Sequence, residues 1–163
     1  MELNQDFKEF IQLLNEKTVD YLVDKFCHIT KFSFEAKSTL GNNGWNGVGE
    51  GEVKVSLAEG NVVVFEEKGF FITPQQKKLA CKNVYRWTFQ KDIIQLEHLR
   101  FGFENPVFLF SLVPKNLSDW VSACPHLCDK DSYNANLTLM QQKIMIVWHI
   151  KGEKDETISY IYE

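Results

Sequence analysis

The residues of this chain that could do chemistry fall in two stretches. One is the run Cys124, Pro125, His126, Leu127, Cys128, Asp129, Lys130, Asp131. Thiolate and imidazole are the ligands zinc prefers, yet a closed zinc site needs four of them, and no second Cys/His pair stands at matching spacing. No metal and no cofactor are therefore expected; His126, Cys128 and Asp131 come nearest to a ligand set, which Cys124, His98 or His149 would have to complete. The alternative use of His126 and Asp131 is to tie down a long loop. The other stretch is Leu96, Glu97, His98, Leu99, Arg100, where a period of two places His98 and Arg100 on the face of Ile94 and Leu96. A charge on an inward aliphatic face requires a carboxylate or an anionic ligand. Arg86, flanked by Tyr85 and Trp87, is the expected companion of Arg100, and two guanidiniums in an apolar interior suit a carboxylate or phosphate head group. Against this, Glu97 or Asp131 can neutralise them, or they can face water.

Catalysis can also be assembled from these residues, with His98 or His126 as acid/base beside Asp131 and Cys128 as nucleophile. The sequence does not bring them together. It contains no Gly-x-Ser-x-Gly elbow, P-loop, His-Glu-x-x-His or dinucleotide fingerprint. Gly47, Gly49 and Gly51 look superficially like a nucleotide loop, but they follow a strand period and no helix comes after them. Whether the chain is an enzyme is left open at this level.

The elements that must hold these residues are mostly strands. Asn4 can cap a helix whose Phe7, Phe10, Ile11 and Leu14 follow the spacing of one helical face, with no strong breaker before Val23. From Phe26 to Phe34 the residues alternate, which predicts a long first strand. A Gly-Asn-Asn-Gly turn at 41–44 follows, then a strand from Trp45 to Leu57 with glycines at 47, 49 and 51 on one face. Further strands are expected at 62–67, 70–73, 79–89, 93–101, 107–113, 133–140, 144–151 and 157–162. Lys115 to Lys130 interrupts the series, with a helical turn expected around Trp120 and a lid expected over residues 119–131. Nine or ten short strands without interleaved helices predict a mainly β protein: a closed antiparallel up-and-down barrel with an amino-terminal α-helix. Glycines at every second position favour sharp coiling or close approach of another element, and so favour closure.

At 163 residues the chain is expected to form one domain, with a helix at 1–20 and a barrel at 21–163. A net charge of −4, offset by no local Lys/Arg cluster, repels phosphate backbones and anionic lipid, so neither nucleic acid nor a membrane is expected as a partner. The start of the chain lacks the basic and apolar runs of a secretory signal, and four scattered cysteines fit reduced thiols; a cytoplasmic location is expected. Composition carries no information on oligomeric state.

Once the strands are placed, the run Gly44 to Gly51 is similar to the glycine-alternating strand of nitrobindin-like barrels in the calycin, or lipocalin-like, group. That strand combines with Tyr85-Arg86-Trp87, with Leu96 to Gly102, with Pro125 to Ala135 and with Trp148 to Gly152. Together they resemble an uncharacterised family of small calycin-like proteins, from about Leu22 onward. The resemblance implies a fold and no particular activity. Asp24 and Phe26 stand near Leu22 where that family tends to have Gly and Trp. Nitrobindin-like barrels hold haem through a histidine; His149 shares a face with Met145 and Val147, but no residue aligns with the ligand, and haem is not expected. The first functional expectation is a barrel binding a small molecule of unspecified identity, with Trp45, Arg86, His98, Arg100, His126 and Tyr133 at its polar end. An enzyme on the same scaffold and a protein-interaction module with a packed interior are the alternatives.

Overall fold

Ring closure is the organising feature of this computed structural model, which describes residues 4–39, 46–116, 118–124, 126–128 and 130–163, the side chains of 11–16 and 126–128 excepted. Helix α1 spans Gln5–Cys27, and the strands are β1 (Lys31–Ser38), β2 (Gly47–Glu59), β3 (Val62–Ile72), β4 (Lys78–Gln90), β5 (Ile93–His98) and β6 (Val107–Pro114). They continue as β7 (Asp119–Ser122), β8 (His126–Cys128), β9 (Asp131–Leu139), β10 (Ile144–Lys151) and β11 (Asp155–Tyr162). Each strand pairs antiparallel with its neighbours in the order β10-β11-β1-β2-β3-β4-β5-β6-β7-β9, and β9 pairs with β10 to complete the circuit. Short β8 lies along β9 beyond β7, at residues 131–133, so the ring has ten strand positions. The chain thus forms the closed antiparallel barrel with an amino-terminal helix that its strand period predicts.

The helix is longer than expected. Asn4 caps it as predicted, its Oδ1 accepting from the Phe7 amide at 2.8 Å. It then runs on through Phe26, where alternation had suggested a strand. Val19, Leu22, Val23 and Phe26 sit at helical spacing and form the face that enters the barrel. Phe26 is wholly buried, its ring 4.8 Å from that of Phe89, 5.1 Å from Trp87 and 5.9 Å from Phe65. A buried side chain of this size contributes about 1.5–3 kcal/mol through area removed from water. The Lys25 ammonium donates to the carbonyls of Met140 and Gln141 in the β9–β10 turn, fastening the plug to the rim.

Two other expectations change. Residues 62–73, read as two strands, are the single strand β3. The segment around Trp120 is the strand β7, paired with both β6 and β9, rather than a helical turn. Pairing on both edges satisfies its backbone groups, and Trp120 buries itself inward as a wall residue. Residues 119–122 are therefore part of the barrel and not of a lid.

The glycine stripe does what its spacing requires. Gly51 and Gly69 face each other across β2 and β3. A Cβ on Gly51 would stand 2.1 Å from the Lys68 carbonyl oxygen, and one on Gly69 would stand 2.0 Å from that of Glu50. Neither carbonyl can move without breaking the ladder. We expect Gly69→Ala to lower stability in urea unfolding by about 2–3 kcal/mol, whereas Gly60→Ala, at a turn where a Cβ meets nothing within 4 Å, changes it by less than about 0.5 kcal/mol. Equal effects at both positions would contradict the close approach.

Candidate functional site

With the helix filling one end, the opposite end holds a cavity of about 200 Å³ walled by Tyr85, His98, Arg100, Tyr133 and Trp148, with Val107 to Leu109 completing it. Tyr85 and His98 arrive from the paired strands β4 and β5 and stack with centroids 4.9 Å apart. Tyr133 and Trp148 come from β9 and β10 across the barrel. Strand β5 stops at His98, so the inward face predicted for Ile94, Leu96 and His98 ends at the rim and Arg100 projects exposed beyond it. Its guanidinium carbon lies 4.7 Å from the Phe101 ring centroid, and it has no carboxylate partner among the described residues. Burial and the nearby Arg100 charge both hold the His98 imidazole below its ordinary pKa, so it is neutral at physiological pH.

Of the residues singled out in the sequence, His98, Arg100 and Tyr133 are thus brought together. Arg86 is not. Tyr85 and Trp87 point inward, so Arg86 between them points outward, where its Nε donates to Glu97 Oε1 at 2.9 Å on a half-buried outer face. The expected pair of interior guanidiniums does not form, and Glu97 is the neutralising partner. Asp131 is buried and does not line this cavity; its Oδ1 accepts from the Lys154 amide at 2.9 Å, where it anchors the β10–β11 turn. His149 faces outward with Met145 and Val147, since Ile144, Ile146, Trp148 and Ile150 are the buried residues of β10. Trp45 and Asp129 lie outside the described residues, as do the side chains of His126 and Cys128. Among the described residues no three His, Cys, Asp or Glu side chains gather as a metal site, and Cys27, Cys81 and Cys124 are free thiols.

Sequence reasoning missed Glu67. It sits on β3 in the inward series Val63, Phe65, Glu67, Gly69, Phe71, with 0% of its surface exposed. The signal was the alternation itself, hidden by dividing β3 at Lys68. The Tyr162 hydroxyl donates to Glu67 Oε2 at 2.6 Å. Beside it, Tyr160 stacks on Tyr162 with ring centroids 5.3 Å apart. The other oxygen, Oε1, has no hydrogen-bond partner at full contact distance among the described residues, and neither do the indole nitrogens of Trp87 and Trp148. Burial pushes the Glu67 carboxyl up to about 8, opposed only in part by hydrogen bonds from Tyr162 and Tyr160. Burial and the Glu67 charge likewise hold the hydroxyls of Tyr85, Tyr160 and Tyr162 above the ordinary tyrosine range. Trp148 stacks on Tyr160 with centroids 6.1 Å apart. Tyr85 and Trp148 line the pocket, and Tyr160 lies behind Trp148.

A ten-position antiparallel barrel, plugged by a helix at one end and carrying an aromatic pocket at the other, defines the class of this protein. Residues 31–163 match the model of a family of unknown function (DUF6314), and the chain belongs to that family. The match begins at β1 and leaves α1 outside it, as the sequence resemblance also did for the opening helix. No curated protein matches the sequence. No helix among the described residues is long and apolar enough to cross a membrane.

The buried acid makes stability depend on pH. The folded protein keeps the Glu67 proton up to about pH 8, while an unfolded chain releases it near 4.5. The stability from this group is complete below pH 4.5 and is lost as pH rises through 8. We expect the wild type to lose roughly 3 kcal/mol between about pH 5 and pH 8, and Glu67→Gln to remove that slope. Matching pH profiles for the two proteins in urea unfolding would sink this assignment.

Proposed function

We propose that the barrel binds a small molecule built on a single aromatic ring with an anionic or polar group. What carries this reading is the convergence of His98, Arg100 and Tyr133 with Tyr85 and Trp148 on one cavity of about 200 Å³, a size suited to one ring rather than to a long chain or a haem. Tyr85, Tyr133 and Trp148 supply flat apolar walls, and Arg100 at the rim supplies a cation free of any carboxylate among the described residues. A carboxylate placed there gains a charge-assisted hydrogen bond, while the ring leaves water. A calycin-like relationship belongs to the same proposal, supported by the closed ring and the single plugged end. So does a cytoplasmic location, supported by the free thiols of Cys27, Cys81 and Cys124 among the described residues.

The enzyme alternative is weaker. Its imidazole, His98 or His126, needs a carboxylate or thiol in the same cleft; among the described side chains, His98 faces Tyr85 and Arg100, and Asp131 is committed to the Lys154 amide. The interaction module has the aromatic packing of the barrel centre on its side. The pocket at the end opposite the helix distinguishes the two.

Benzoate and its neutral counterpart benzamide are suitable probes. Wild-type protein at pH 7 should show saturable shifts of the Trp148 indole resonance with both, and stronger binding of benzoate. Arg100 is exposed, so Arg100→Leu should fold normally and weaken benzoate by about tenfold, with little change for benzamide. Failure of both probes to perturb the folded wild type at millimolar concentration rejects the proposal.

A further inference from the structure

At the level where the ring closes each strand has two neighbours, but β4 runs past that level. Strand β5 covers β4 only from Gln90, opposite Ile93, to Tyr85, opposite His98, and a last bond from the Leu99 amide to the Val84 carbonyl at 2.8 Å ends the contact. From Lys78 to Asn83, β4 is paired with β3 alone. The backbone groups of successive residues point to opposite sides of a strand, so Ala80 and Lys82, in step with Val84, turn their N–H and C=O groups away from β3. Neither makes a backbone hydrogen bond on that side among the described residues, and both side chains are exposed. We propose that this overhanging edge is an interaction surface that takes up an extended segment of another protein as an added strand, with acidic residues facing Lys78 and Lys82 and apolar residues between them.

The side chains on the two faces of the overhang select the occupant. Tyr85, Trp87 and Phe89 face the interior, so Leu79 and Cys81 lie on the inner face and Lys78, Ala80 and Lys82 on the outer. On the outer face Lys82 stands opposite Lys68, and like charges in register repel. Lys68 has Glu52 opposite it on its other side, whereas Lys82 at the edge has no strand beyond it. Neither lysine forms an ion pair among the described residues. The Lys78 ammonium lies 4.1 Å from the centroid of the exposed Phe70 ring. On the inner face Leu79 is exposed and Cys81 is a half-buried free thiol. A strand laid along this edge therefore meets a cation, an apolar residue, a small one, an apolar one and a second cation; its complement is acidic, apolar, any residue, apolar, acidic.

A second copy of the chain is the poorer fit. Two β4 edges paired antiparallel about Ala80 would set Lys78 against Lys82 twice. Moving the centre to Cys81 sets Lys78 against Val84, whose carbonyl the Leu99 amide already holds. Lysines on an exposed edge keep a protein's own edges apart, and the partner they admit is an acidic one. A nucleic acid would answer the charge alone and leave the backbone groups unused.

The test uses the peptide Glu-Val-Thr-Val-Glu, capped at both ends, and its Lys-Val-Thr-Val-Lys counterpart. With the wild-type protein the acidic peptide should bind saturably and slow hydrogen exchange of the Ala80 and Lys82 amides by about tenfold, leaving Leu79 and Cys81, which are bonded to β3, unchanged. The lysine peptide should do neither. Ala80→Pro removes a donor that no internal bond uses, so it should fold and weaken the acidic peptide by about tenfold. Lys82→Glu, a change at an exposed side chain, should weaken it by about fivefold and admit the lysine peptide; this variant serves if the proline variant fails to fold. Unchanged exchange at Ala80 and Lys82 with millimolar acidic peptide, or acidic-peptide binding that survives both substitutions, overturns the proposal. Protection of the same amides that rises with protein concentration in the absence of peptide gives the edge to a second copy and overturns it equally.

Discussion

A sheet with no edges must turn every strand's inner face toward a common axis, and that closure is the constraint on which the rest of this molecule depends. Here it requires β2 and β3 to approach so closely that only hydrogen fits on Gly51 and Gly69. It also requires something to fill the end toward which the inner faces open. Phe26, carried by a helix longer than its apolar stripe alone suggested, fills it. The interior that results is aromatic and dry: Phe65, Trp87, Phe89 and Tyr162 are essentially without exposure. A carboxyl placed in such an interior stays neutral, and a pocket can survive where the helix does not reach.

The distribution of polar groups follows from the same geometry. Along each strand every second side chain faces in, so each inward polar residue had to find an internal partner or go without. Glu67 found Tyr162 for one oxygen and went without a close partner for the other among the described residues. Arg86, one step out of phase, faces outward and pairs with Glu97. The two residues are both ionisable and both mid-strand. Which way each points decides that one is a half-solvated surface ion pair and the other a buried acid with a shifted pKa.

Much of the fold was legible because strand period is a strong local signal. The glycine and valine alternation from Gly47 to Val55, the turns at Gly60-Asn61 and Lys91-Asp92 and the pattern of Ile144 to Ile150 all survive unchanged. The errors occurred where two periods coincide or where turn residues crowd. Phe26, His28 and Thr30 alternate with Cys27 and Ile29 as a strand would, yet Phe26 also completes a helical face with Val19, Leu22 and Val23, and burial against Phe89 favours the helix. Around Trp120 the turn formers Pro114, Asn116 and Pro125 obscured a four-residue strand held by pairing on both edges. The site was half legible. His98, Arg100 and Tyr133 were chosen for chemical type, and the barrel brings them together; Asp131 has the right type and is used by a turn. Glu67 was invisible only because its strand was divided in two, since the unbroken alternation from Val63 to Phe71 places it inside.

The account therefore turns on whether the barrel centre is dry enough to keep one carboxylic acid protonated in neutral solution. Carbon-13 chemical shifts of the glutamate side-chain carboxyls, followed from acid to alkaline pH with Glu67 assigned by substitution, measure this directly. A Glu67 resonance that titrates at about 8, well above the ordinary glutamate value of 4.5, is the predicted result. A resonance that moves together with the surface glutamates would show water at the barrel centre and would contradict the account.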